Sequence, residues 1–222
     1  MDETIGRRGT VSEINGEGHK LVAYGEDEGS PAFVPAGNEH EALGPDWFEV
    51  TDEGSILIAD RVRRELLELH PESADPISLE AVGSLDPRGA PPGGYGREHG
   101  GPAVRTAQTS AESGAVIFGE GPSERSVAID AGGPLASLEL IGVDAQGRAF
   151  VLLERFRQLG ELEVVREVLV VRDDGLLLDR VRLEGGPEVA QRRELLLADD
   201  GSLYRMLTGE DGLVFSRWEL RP

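Results

Sequence analysis

Three stretches of the chain share one pattern: FEVTDEGSILIAD from Phe48, GVDAQGRAFVLLE from Gly142 and LLLADDGSLYRML from Leu195. Each is an apolar run, a short acidic turn ending in glycine, and a second apolar run. Glycine accepts positive φ without a steric penalty, and Asp can cap a turn through its own carboxylate, so each stretch predicts a β-hairpin. A chain that returns to this unit must build antiparallel sheets and stack them, because a single sheet cannot cover both of its faces.

From Leu135 onward the turns fall at Asp144–Gly147, Asp173–Gly175, Asp199–Gly201 and Glu210–Gly212. Between them the predicted strands are 138–143, 148–154, 164–171, 176–184, 193–198, 202–207 and 213–220. In the fourth of these, Leu177, Val181 and Leu183 alternate with Arg180, Arg182 and Glu184, which is the period of a half-buried strand, with Asp179 as a break. The continuous apolar run Val168–Val171 predicts a strand covered on both faces. Upstream, strands are expected at 47–50, 55–59 and 65–69, then at 103–109, 115–118 and 126–130, and at 10–14 and 21–24. Residues 61–69 also fit one face of a helix through Val62, Leu66 and Leu69. The preceding Asp52-Glu53-Gly54 turn and the closing Pro71 favour a strand over 65–69.

Between Asp86 and Pro102 the sequence is DPRGAPPGGYGREHGGP. No periodicity survives there, and such a segment buries too little apolar surface to offset its conformational entropy. It is read as a loop insertion within a single domain spanning 1–222, first as a tolerated linker. As a flap over a binding face it would contact a partner through Tyr95, Arg97 and His99.

The chain carries 42 acidic against 22 basic residues and a net charge of −20. An anionic surface of that size repels phosphate backbones and anionic headgroups, so nucleic acid and membrane-surface partners are disfavoured. With no cysteine there is no disulfide framework, thiolate nucleophile or cysteine zinc site. The N-terminal stretch MDETIGRRGTVSEINGEG has no apolar segment of signal-peptide type, and no apolar run approaches the roughly 18 residues of a membrane span. A soluble protein is expected.

The order of apolar strand, Asp-x-x-Gly turn, apolar strand and charged linker resembles the NHL and YVTN-like β-propeller repeats. GPDWFEVTDEGSILIADRVRRELLELHP (Gly44–Pro71) carries the resemblance best, with IGVDAQGRAFVLLE (Ile141–Glu154) and RRELLLADDGSLYRMLTGEDGLVFSRWEL (Arg192–Leu220) as later units. The resemblance implies an all-β propeller of about five irregular four-stranded blades, or a partial or open one. It also implies a secreted or cell-surface setting. Ring closure would place Arg8–Ile14 beside Leu213–Leu220.

Catalytic motifs are missing from the sequence: there is no GxSxG elbow, phosphate-binding loop or HExxH. His19, His40, His70 and His99 lack zinc-type spacing. Glu26-Asp27-Glu28 and Asp199-Asp200 could supply oxygen ligands to Ca²⁺, although turn-forming is the ordinary role of such carboxylates, and no cofactor is expected. Trp47, Phe48, Phe150, Tyr204, Phe215 and Trp218 are expected in the core, with Tyr24, Phe33 and Tyr95 nearer a contact face. The expected function is a non-catalytic propeller scaffold presenting loops to a protein or glycan partner, with oligomerisation open. The alternative is a metal-dependent propeller hydrolase or lyase with its site at the channel mouth.

Overall fold

The computed structural model describes residues 10–14, 17–22, 31–37, 41–70, 79–85, 104–157, 163–186 and 189–219. The described residues form an all-β structure of sixteen strands in four antiparallel sheets, none of them closed, with one short 3-10 turn at Gly121–Ser123. The strands are β1 (Thr10–Ile14), β2 (Glu17–Val22), β3 (Pro45–Val50), β4 (Ile56–Asp60), β5 (Glu65–Leu69), β6 (Leu79–Ser84), β7 (Val104–Gln108), β8 (Ser113–Phe118) and β9 (Arg125–Asp130). They continue with β10 (Leu135–Val143), β11 (Ala149–Phe156), β12 (Val164–Val171), β13 (Leu177–Leu183), β14 (Leu195–Leu197), β15 (Leu203–Gly209) and β16 (Gly212–Trp218). Residues 61–69 give a turn and the strand β5, as the flanking turn signals imply, and not a helix.

The repeated sequence unit corresponds to one repeated turn. Between β10 and β11, Asp144 N–H donates to the Arg148 carbonyl at 3.1 Å and Gly147 N–H donates back to the Asp144 carbonyl at 3.0 Å. The same two bonds recur between Thr51, Gly54 and Ser55, between Arg172, Gly175 and Leu176, and between Ala198, Gly201 and Ser202. This is a tight turn closed by a residue in the left-handed region, and Gly147 sits there at φ 76°. The aspartates act as local caps: Asp144 Oδ1 accepts from the Gln146 and Arg148 amides, and Asp200 Oδ1 from the Ser202 amide. Asp199-Asp200 thus forms a turn, with Arg217 on Asp200 Oδ2 at 3.2 Å.

The chain divides into two compact units, Met1–Arg97 with Gly186–Pro222, and Glu98–Gly185. In the first, β3-β4-β5-β6 is a meander, and the second sheet has the order β1-β2-β16-β15-β14. Phe48, Ile56, Ile58, Leu67 and Leu69 from the first sheet meet Tyr204, Met206, Leu213 and Phe215 from the second in one core. The alternation along β3 and β4 sends Trp47 and Ala59 to the opposite face, with Leu66 and Leu85.

In the second unit, β7-β8-β9 faces β10-β11-β12-β13. Val116, Phe118, Val127 and Ile129 pack against Leu135, Ala149, Val151, Leu153, Leu169 and Val171. Gly114 leaves room at this contact: a Cβ there would lie 2.5 Å from the end of the Leu138 side chain and 3.0 Å from the Ala107 carbonyl oxygen. Val168–Val171 is fully covered on both faces, as its continuous apolar character predicts.

Several expectations are corrected. The described residues form four sheets of five, four, three and four strands, where about five four-stranded ones were expected. The terminal strands do meet, but β1 (Thr10–Ile14), the described part of Arg8–Ile14, is not the one beside the C-terminal strand. β1 and β2 pair as a hairpin, and β2 lies against β16 with Phe215 opposite Lys20. The strand expected over 21–24 begins earlier, as β2 at Glu17–Val22, where its polar first half carries no apolar pattern. β6 was not foreseen because it is an edge strand whose residues are almost all exposed. Leu177 does not share the buried face of Val181 and Leu183. A bulge at Val170/Val171 shifts the register, and the first half of β13 lies open to solvent.

Candidate functional site

The candidate partner-contact residues Tyr95, Arg97 and His99 lie outside the described residues, as do the side chains of Glu26, Asp27, Glu28, His19 and His40. His70 is exposed at the end of β5. Among the described residues no group of three or more His, Cys, Asp and Glu is placed to hold a metal ion, and no helix is long and apolar enough to cross a membrane. Trp47, Phe48, Phe150, Tyr204, Phe215 and Trp218 are all buried, and Phe33 is half-buried. Two features remain with chemical content, one in each unit.

In the first unit the feature is Asp46, which sits at the bulge where β3 begins, between Pro45 and Trp47. Its side chain is wholly buried. One carboxylate oxygen, Oδ2, receives Arg61 from the β4–β5 turn at 3.2 Å and Arg192 from the segment leading into β14 at 3.3 Å. The other oxygen, Oδ1, is buried without a hydrogen-bond partner. The Asp46 backbone carbonyl accepts from the Arg192 amide at 2.7 Å and the Arg193 amide at 3.1 Å. Asp46 therefore ties sequence-distant parts of the unit together. Beside it the Arg193 guanidinium lies 5.1 Å above the Trp47 ring and donates to the Phe48 carbonyl, and burial lowers its pKa.

At the far end of β4, Asp60 is also wholly buried, yet it is spent on the backbone. Its Oδ1 accepts from the Val62 and Arg63 amides at 2.9 and 3.1 Å, and Oδ2 accepts from Ala32 at 2.8 Å. It organises the turn that presents Arg61. Nearby, Thr208 Oγ1 donates to the Pro45 carbonyl at 2.6 Å, and Gln191 Nε2 approaches that hydroxyl at 3.1 Å, fixing the start of β3.

Both carboxyls have their pKa pushed up. For Asp46 desolvation outweighs the attraction of Arg61 and Arg192, and for Asp60 it outweighs the amide bonds. With the folded pKa above the ordinary value of 3.8, the native state binds more protons than the unfolded chain. The contribution to stability is thus full below that value and is lost as pH rises through the folded one. Wild type should gain stability relative to Asp46→Asn as pH falls through this window. Urea midpoints of the two proteins across the acid range test this, and a wild type that loses stability relative to the variant on acidification rejects it.

In the second unit the feature is the outer edge of β13. Leu176, Leu177 and Leu178 are 50, 44 and 37% exposed, three consecutive leucines at the open edge of a four-stranded sheet. Asp174, beside them in the turn, is held ionised by its hydrogen bond with Arg172, which lowers its pKa. Neither feature was among the sites foreseen from sequence. Asp46 announces itself only as an acid at the start of an apolar strand, and Leu176–Leu178 only as an apolar triplet directly after a turn. No protein-family model matches the chain, and comparison with curated proteins and with solved structures returns no match.

Proposed function

We propose that the chain is a non-catalytic binding module, built as a small NHL-like β-propeller that presents strand edges and loops to a protein partner. The observation that carries this reading is the exposed triplet Leu176–Leu178 where edge strand β13 begins. Isolated exposed leucines are common, whereas three in a row at an unpaired sheet edge invite another chain to pair or pack there. Apolar contact of this kind suits a protein partner better than a glycan. The propeller form is supported by the succession of meandering sheets and by the N-terminal hairpin, which completes the sheet of the C-terminal strands.

Photo-crosslinking from position 178 in an extract of the source cells should capture a defined protein. Leu177→Glu with Leu178→Lys should abolish capture while the melting temperature stays close to wild type, since both residues are already exposed. If no specific adduct forms, or if the charged variant captures the same protein, this reading fails. Adducts formed only with a second copy of the chain, accompanied by concentration-dependent size in light scattering, would assign the edge to self-association instead.

A further inference from the structure

Beyond its leucines, edge strand β13 carries a charge pattern of its own. After the bulge its last five residues pair with β12 in unbroken register, from Asp179 opposite Val170 to Leu183 opposite Arg166. Residues directly opposite one another in an antiparallel pair point to the same face. Arg180 lies opposite Leu169, a member of the core shared with β7-β8-β9, so Arg180 and Arg182 stand on that face. Val181 and Leu183, both buried, stand on the other face with Asp179. Among the described strands β13 has no neighbour on its outer side.

Ion pairing on the arginine face is unequal. Glu167 Oε2 takes Arg180 Nη1 at 3.3 Å and lies 3.8 Å from Arg155 Nε. The Arg182 guanidinium is exposed and has no hydrogen bond or ion pair. Even with Glu184 counted beside Glu167, this end of the face sets three arginines against two acids, and the arginine left over is Arg182. Glu154 and Arg166 pair with each other on the opposite face.

The same pattern argues against a second copy of β13 as the occupant. A two-fold axis through an antiparallel pair runs perpendicular to the sheet and keeps every side chain on its own face, so opposed residues are an even number of positions apart. Centred on Arg180, such a pairing sets Arg180 against its own copy. Centred on Val181, it sets Arg180 against Arg182, and centred on Asp179 it sets that acid against itself. Every two-fold register that pairs at least five of the seven residues of β13 thus opposes like charges, which destabilises directly opposed strand positions.

We propose, resting on the reading of β13 as a binding edge, that its occupant is an extended strand of another protein in which carboxylates alternate with apolar side chains. Its main chain pairs with Asp179–Leu183, its carboxylates lie opposite Arg180 and Arg182, and its apolar side chains extend the face of Val181 and Leu183. In strand addition the main-chain hydrogen bonds supply affinity and the alternate side chains supply specificity. The arginines that disfavour a second copy therefore select an acidic strand. Contacts across a few ångströms decide this preference, since the charge of the remaining surface is screened beyond about 8 Å at physiological ionic strength.

The test is fluorescence anisotropy of the full chain with the capped peptide Thr-Glu-Val-Glu-Val-Glu-Thr and with its counterpart carrying lysine for glutamate, at about 0.15 M salt. The glutamate peptide should bind at least about fivefold more tightly, because each opposed pair of unlike charges adds to strand pairing and each like pair detracts. Arg182→Glu breaks no hydrogen bond or ion pair of the side chain, so it should keep the melting temperature of wild type and abolish the preference, while Arg182→Lys should retain it. Amide hydrogen exchange within Asp179–Leu183 should slow in the complex, which side-chain packing alone would not cause. Equal binding of the two peptides, a preference unchanged in Arg182→Glu, binding without protection of β13, or binding of neither peptide each overturns the proposal. The photo-crosslink from position 178 is read separately: a defined protein adduct beside any of these failures keeps β13 as a binding edge and removes only the acidic strand, whereas absence of an adduct removes the edge reading itself.

Discussion

Asp60→Ala should lower the stability of the first unit by about 3 kcal/mol, because the alanine leaves three backbone amides without their acceptor. Those amides belong to Ala32, Val62 and Arg63, and each lies 2.8 to 3.1 Å from the carboxylate. A part-buried amide that loses its partner costs roughly 1–3 kcal/mol, and the lower end applies where water can reach the turn. Asp60→Asn should cost less than the alanine change, since the amide oxygen still accepts while its NH₂ group cannot. Both tryptophans of the chain, Trp47 and Trp218, lie in the first unit, so urea unfolding followed by tryptophan fluorescence reports that unit alone. A loss below about 1 kcal/mol would mean that water replaces the carboxylate.

The effect should extend beyond stability. Asp60 holds the first residues of the β4–β5 turn, and Arg61 is presented to Asp46 from that turn. Slackening the turn should therefore loosen the Arg61–Asp46 ion pair in addition to costing stability. Asp46 and Asp60 thus divide two tasks at one end of a sheet. The first orients arginine side chains, and the second shapes the backbone that carries one of them.

The turns were the legible part of the fold. Gly54, Gly147, Gly175 and Gly201 all take positive φ, a local requirement that the sequence states residue by residue. The strands between them were legible for the same reason, since an apolar run bounded by such turns has little choice but to be a strand. What escaped were features decided by distant residues. β2 starts four residues before the strand expected over 21–24, and its pairing with β16 is between segments far apart in sequence. β6 is an exposed edge strand, where burial writes no alternating pattern. In β13 a bulge turns the expected alternation outward over its first half.

The candidate sites escaped for a related reason. Nothing in GPDW states that Asp46 will meet Arg192, which follows the whole of the second unit in the chain. The one local hint is that an acid stands between Pro45 and Trp47 at the head of a strand, and burial of an acid requires a cation to offset part of its desolvation. Among the chain's arginines, RVRR directly after β4 was one candidate partner and QRR before β14 another. Only the docking of the segment before β14 onto the Asp46 carbonyl selects both.

Phe48→Ala should give the second large effect, about 3–5 kcal/mol, again confined to the first unit. Phe48 is wholly buried at the centre of the core that joins the two sheets, and its ring meets Phe215 edge-on, with centroids 5.9 Å apart and an interplanar angle of 78°. The cost combines the lost transfer free energy with the cavity left between two sheets that cannot easily collapse. Each sheet is held by its own ladder, Phe48 against Ile58 in one and Phe215 against Met206 in the other. The core of the second unit, from Val116 to Val171, contains none of these residues. Tryptophan fluorescence should therefore report unfolding at much lower urea, while far-ultraviolet circular dichroism, which sees both units, should separate into two steps. A single shifted transition by both probes would show that the two cores unfold as one cooperative body, and the second unit could then not be treated as an independently stable insertion.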